Sequence, residues 1–121
     1  SSSFRRWKRR KLIRNLNKHI SLLDKVSCRA PDFNLPKLYL LKAERASIQG
    51  NHPRALQNYK SAIGTSTRLL IDHALAHELT GRWYLDFLDN KEEAVKHLYQ
   101  AQQLYEEWGA SWKAQKLRRI A

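Results

Sequence analysis

Several residue types are scarce or missing from this chain of 121 residues, and each shortage excludes something. Cys28 is the only cysteine, so neither an internal disulfide nor a cysteine metal cluster can form. A reducing, intracellular compartment, cytoplasmic in the simplest case, is the expectation from that count. The four glycines stand apart from one another, which leaves no glycine-rich loop to cradle a phosphate. Apolar runs are only a few residues long, too short for a transmembrane helix. Methionine is absent, so we expect a processed chain or, better, a piece of a longer protein. Acidic residues are few, 11 against 23 Lys and Arg, giving a net charge of +12.

What remains is the composition of a folded domain, 42% hydrophobic with four Trp and five Tyr, and long enough for one core. The charge is unevenly placed. Residues 1–29 carry ten Lys/Arg against Asp24, whereas residues 64–109 carry four against eight Asp/Glu. Such asymmetry marks either a surface for nucleic acid or acidic membrane, or helices whose acidic neighbours lie outside this stretch.

Residues 4–27 contain neither Gly nor Pro, and Ile13, Leu16, Ile20 and Leu23 fall on one helical face, which Leu12, Leu22 and Val26 would broaden. The first turns differ. Phe4 and Trp7 sit among Arg5, Arg6, Lys8, Arg9, Arg10 and Lys11, a pattern suited to a solvated outer face or to an anionic partner. Pro31 and Pro36 then interrupt, because proline lacks the amide that a helix interior needs, and Asn34 is the expected start signal of the next helix. A hairpin is expected over residues 35–63. Its first helix spreads Leu38, Tyr39, Leu41, Ala43, Ala46 and Ile48 over a wide arc, and Gly50-Asn51-His52-Pro53 forms the turn. Ala55, Leu56, Tyr59, Ala62 and Ile63 make the inner face of its second helix.

A second hairpin is expected over residues 68–109. Leu70, Ala74, His77, Gly81, Tyr84 and Leu88 line one side of its first helix. Gly81 in a helix interior costs about 1 kcal/mol against Ala, so we expect a neighbouring backbone to pass close to it. In the second helix Ala94, Leu98, Ala101, Tyr105 and Trp108 recur at steps of four and three, which buries all five on one face. A buried Trp108 would cost about 3–5 kcal/mol on truncation to Ala. Asn90 with Glu93 resembles a capping box, and Gly109 is placed to end the helix. Residues 110–121, with Trp112, Ala114, Leu117 and Ile120, begin a further helix that lacks an obvious partner in the sequence.

The two hairpins repeat. Ala55, Tyr59 and Ala62 correspond to Ala94, Leu98 and Ala101 at an offset of 39, and Gly50 corresponds to Asp89. This spacing resembles the tetratricopeptide (TPR) pattern, with Gly81 and Tyr84 matching its Gly-x-x-Tyr element, although the period is longer than the usual 34. The whole chain, 1–121, is thus expected to be one all-α domain of about six helices, its antiparallel hairpins stacked in a TPR-like right-handed superhelix.

A more specific resemblance covers residues 10–117. AHELTGRWYL, followed by Ala94, His97, Leu98, Ala101, Tyr105 and Trp108-Gly109-Ala110, is similar to the helical region of large signalling proteins. In these, a kinase-like domain and a STAND-type ATPase precede the helical region, and a GAF plus sensor histidine kinase module follows. The departure is Asp89, where that family places Gly in the turn. The resemblance implies a non-catalytic scaffold that couples protein partners or neighbouring domains of the same chain. It supplies no catalytic residue.

No chemistry competes strongly with that expectation. His73 and His77 lie one turn apart, with His97 on the partner helix as a third candidate, but no H-E-x-x-H carboxylate accompanies them, and they read as packing rather than metal ligands. Glu92-Glu93 and Glu106-Glu107 point to different sides of their helix and make no acid/base pair. We therefore expect no enzyme activity, cofactor or metal. The residues expected to meet a partner are Arg5, Arg6, Trp7, Arg9, Arg10, Tyr39 and Lys42. The alternative is a basic helical module that binds nucleic acid, an acidic partner or an anionic membrane through residues 4–14.

Overall fold

The computed structural model describes residues 2–120, which form six α-helices and, among the described residues, no strand. In order they are α1 (Ser2–Ser27), α2 (Pro31–Ile48), α3 (His52–Thr65), α4 (Leu70–Phe87), α5 (Lys91–Trp108) and α6 (Ser111–Ile120). The all-α expectation and the number of helices both hold. The chain divides within α3 into two compact units, residues 1–61 and 62–121. The division also sorts the charge. Fifteen Lys/Arg oppose three Asp/Glu in the first unit, and eight oppose eight in the second, so the first carries the entire net charge.

In the first unit α1 packs on α2. Ile20 is buried and Ile13, Leu16 and Leu23 are half-buried, as their spacing requires. Leu12, Leu22 and Val26 are exposed instead, because one neighbouring helix covers a stripe only about 100° wide and these three lie on its flanks. With 26 residues against 18, α1 outruns α2 by about 12 Å at the usual rise, and residues 2–12 are exposed on every side.

The helix α2 starts earlier than the prolines suggest. Pro31 takes the first helical position, Pro36 lies inside the helix, and Asn34 sits in the first turn, its Nδ2 donating to the Ala30 carbonyl at 2.9 Å. So near a helix start Pro36 forfeits a single bond, to the carbonyl of exposed Asp32, and its ring is fully buried in return. Leu38, Leu40, Ala43 and Ala46 form the buried side of α2, and Ala55 and Tyr59 that of α3. Burial raises the Tyr59 pKa, and the Glu44 carboxylate raises it further.

In the second unit α5 is central, packed on α4 and on α6. Gly81 explains how closely α4 approaches. A Cβ there would lie 2.8 Å from Leu98 Cγ and 3.1 Å from the Ala94 carbonyl oxygen. Leu98, Ala101 and Tyr105 form one core cluster with Ala74 of α4 and with Ala114 and Leu117 of α6. The last helix therefore has a partner within the chain, and of its large apolar side chains Trp112 and Ile120 remain exposed.

Trp108 does not share the burial of its face; it is 55% exposed. It is the final residue of α5, and the α6 side chains Ala114 and Leu117 fill the core further along, so the indole stays outside the core cluster. Its truncation removes little from the core, not the amount expected of a buried tryptophan. Leu88, just beyond α4, is likewise exposed.

The offset of 39 reaches into the turns. Gly50 and Asp89 both adopt left-handed backbone, at φ 76° and 49°, and Asp89 is the only non-glycine to do so among the described residues. The next residue in each case, Asn51 or Asn90, caps the following helix by accepting at 3.2 Å from the amide three residues on. Asp can occupy the left-handed region at modest cost, which is how this turn survives without Gly. The return bond of the expected capping box is replaced: the Asn90 amide donates to the Tyr84 carbonyl, and the Glu93 carboxylate accepts from Lys96. Gly109, at φ 96°, ends α5 as expected.

Candidate functional site

The expected partner-binding residues fall into two places. Arg5, Arg6, Trp7, Arg9 and Arg10 lie on the overhanging start of α1, all exposed. Seven cations up to Arg14 surround that helix with no carboxylate among them, the Phe4 and Trp7 rings lie 6.1 Å apart, and Lys11 Nζ sits 5.4 Å above the Trp7 ring. The cations run all round the helix, which gives a strong local field without a single directed stripe.

Tyr39 and Lys42 lie elsewhere, in a groove of about 400 Å³ between α2 and α3. Tyr39, Lys42 and Arg45 line it from α2, at steps of three residues; Arg54, Gln57 and Asn58 line it from α3. Arg45 and Arg54 were not singled out by sequence, because only the pairing of α2 with α3 brings their side chains together. Three of the lining side chains are cationic and none is a carboxylate. Arg45 Nη1 donates to Asn17 Oδ1 at 2.8 Å, a neutral acceptor that orients the guanidinium without cancelling its charge. Lys42 Nζ lies 5.9 Å over the Tyr39 ring, which holds it without neutralising it. Glu44 faces Tyr59, and burial raises its own pKa.

The second unit holds two polar clusters. Glu78 is buried in α4 and joins three helices: it accepts from the Tyr105 hydroxyl of α5 at 2.8 Å and from Arg82 at 3.0 Å, and Lys113 of α6 lies 3.6 Å away. Lys113 also stands over the Tyr105 ring, and burial followed by the Glu78 carboxylate raises the Tyr105 pKa. The cluster is a structural junction rather than a site, since every carboxylate contact is to a group of the same unit. Its only sequence trace is the position of Glu78 beside a buried face.

The second cluster brings the three histidines together. The Nδ1 atoms of His77 and His97 are 3.0 Å apart, so one ring donates and the other accepts. His73 stands edge-on to His77 and its Nδ1 is 3.0 Å from the Ser66 hydroxyl, while Tyr84 stacks on His97. Burial first, then the neighbouring His73 and His97, lower the His77 pKa to about 4. Burial also lowers His73 and His97, opposed at His73 by a hydrogen bond to the Ile63 backbone and at His97 by Glu93. These shifts favour neutral rings between α4 and α5. Among the described residues no three His, Cys, Asp or Glu side chains are grouped to hold a metal ion.

Cys28 is a free, exposed thiol whose Sγ donates to the Asp24 carbonyl at 3.6 Å. No helix among the described residues is long and apolar enough to cross a membrane. Comparison of the chain with family models, with curated proteins and with solved structures finds no match.

Proposed function

We propose that this chain is a non-catalytic, TPR-like helical-repeat scaffold that docks a protein partner or neighbouring domains of a larger signalling protein. The observation that carries the reading is the repeat itself. Two helix–turn–helix units share an offset of 39 in their left-handed turn residue, in their Asn cap and in a buried triplet, Ala55-Tyr59-Ala62 and Ala94-Leu98-Ala101. Repeated hairpins of this kind stack through their faces, and a right-handed superhelix with extended side-chain surfaces is the arrangement we assign to them. The polar clusters support a non-catalytic role, because Glu78 is spent on binding three helices together and the histidines on each other. A photo-crosslinker in place of Tyr39, in cells that make the protein, tests the reading. Crosslinks to a protein or segment outside residues 1–121 are expected; a chain that crosslinks to nothing would refute the scaffold.

A second reading rests on the overhanging start of α1, whose cations and paired Phe4 and Trp7 suit an anionic partner, whether nucleic acid, an acidic protein or a membrane surface. It predicts that replacing Arg5, Arg6, Arg9 and Arg10 with Gln abolishes such binding while helicity is kept.

A further inference from the structure

We propose that the groove between α2 and α3 receives an extended acidic segment of a partner protein, its carboxylates paired with Lys42, Arg45 and Arg54. This rests on the scaffold reading and gives it a ligand chemistry.

Charge is the first argument. Three cations converge on one concavity, no carboxylate lines it, and none of the three has an ion pair among the described residues. Like charges gathered this way repel, so the arrangement costs stability unless something negative sits among them. The hairpin's own carboxylates do not serve: Asp32 is exposed in the first turn of α2, and neither it nor Glu44 lines the groove.

Geometry is the second. Lys42 and Arg45 are one turn apart on α2, with Cβ atoms about 5–6 Å from each other. Side chains on one face of an extended peptide recur at about 6.6–6.8 Å. Two acidic residues in alternate positions therefore meet the two cations of α2, and Arg54 answers from across the groove. The Arg45 guanidinium, already oriented by Asn17, is set for a two-bonded carboxylate contact. Gln57 and Asn58 offer amides to the backbone of such a segment, and the Asn58 amide is itself oriented by its bond to the Arg54 carbonyl at 3.0 Å.

The chemistry disfavours a nucleic-acid strand here. Single strands are held by stacking on open aromatic faces, and the one ring in this groove, Tyr39, has Lys42 over it. The most exposed rings of the first unit lie outside the groove, Phe4 and Trp7 on α1 and Phe33 in the first turn of α2.

The test uses the 121-residue chain, a fluorescein-labelled ten-residue peptide of alternating Glu and Ser, and a single-stranded oligonucleotide. Anisotropy is read at 0.15 M salt. The triple variant K42Q/R45Q/R54Q should weaken peptide binding at least tenfold. The control R5Q/R6Q/R9Q/R10Q removes more charge and should weaken it less than threefold. An equal or larger loss in the control would mean that only net charge was measured, and the proposal would fall. It falls also if wild-type chain does not bind the peptide, or if the oligonucleotide binds more tightly and loses affinity with the groove variant. Should the triple variant lose helicity, wild-type amide shifts decide: peptide must perturb residues 39–45 and 54–61, and perturbation confined to 4–14 overturns the proposal. Failure here together with crosslinks from position 39 leaves the scaffold standing and removes only the acidic ligand; absence of those crosslinks removes the scaffold as well.

Discussion

The contact at Gly81 yields a prediction whose sign depends on the background in which it is made. An alanine Cβ at this position meets Leu98 Cγ at 2.8 Å and Cδ2 at 3.0 Å, with the Ala94 carbonyl at 3.1 Å. Leu98 is fully buried and Ala94 is backbone on the facing helix, so neither gives way freely. Overpacking of this kind costs about 1–3 kcal/mol. Against it, replacing a helical Gly by Ala gains about 1 kcal/mol. Gly81→Ala should therefore destabilise the chain by roughly 0–2 kcal/mol, a result too small to decide anything alone. Leu98→Ala should cost about 2–5 kcal/mol as a cavity. In that cavity the new Cβ at position 81 has room, and the helix-propensity gain is no longer opposed by Leu98. Gly81→Ala made on Leu98→Ala should thus be neutral or stabilising by up to about 1 kcal/mol, a coupling of about 1–2 kcal/mol. Urea titration followed by helical circular dichroism measures all four corners of the cycle. Additivity within about 0.5 kcal/mol would show that the two residues do not touch and that the close approach of α4 to α5 is wrong.

Three further outcomes follow from the clusters and turns. His77 has a folded pKa of about 4, below its ordinary 6.5, so the folded chain resists a proton that the unfolded chain accepts. Its contribution is complete above pH 6.5 and is lost as the pH falls toward 4; because the ring is only half-buried, we expect about 1–2 kcal/mol. Urea midpoints at pH 7.5 and 5.0 should show that loss, and His77→Phe should abolish most of it. Glu78→Leu leaves Lys113 and the Tyr105 hydroxyl without their shared acceptor and should cost about 3 kcal/mol, read as a lower midpoint with unchanged slope. Asp89→Gly should raise stability by about 0.5–1 kcal/mol by relieving a left-handed Asp, and Gly50→Ala should lower it by at least as much; equal responses of opposite expectation would break the equivalence of the turns.

Much of the architecture is legible in the sequence alone. Helix phase located Ile20, Ala43, Tyr59, Leu98 and Tyr105 on buried faces, because the 3.6-residue period is a property of the backbone alone. The punctuation at Gly50-Asn51, Asn90 and Gly109 was legible for a similar reason, since caps and left-handed turns select residue types locally. Pro36 does not break its helix, because the cost of a missing amide depends on where in the helix it falls and on what buries the ring.

The rest required the tertiary structure. Periodicity gives the direction in which a side chain points but not whether anything stands there, which is why Trp108 kept its phase and lost its cover. The same limit hid the partner of α6, since Ala114 and Leu117 acquire meaning only against the far side of α5. The groove was half visible: Tyr39 and Lys42 stand out on their helix, but Arg45 and Arg54 join them only when α2 and α3 are laid side by side. Likewise His73 and His77 stand one turn apart in the sequence, yet it is burial that lowers both pKa values, and His97 arriving from the opposite helix that lowers His77 further. Local chemistry wrote the helices and their ends; which side chains share a space, and hence which charges face one another, was decided by helix packing.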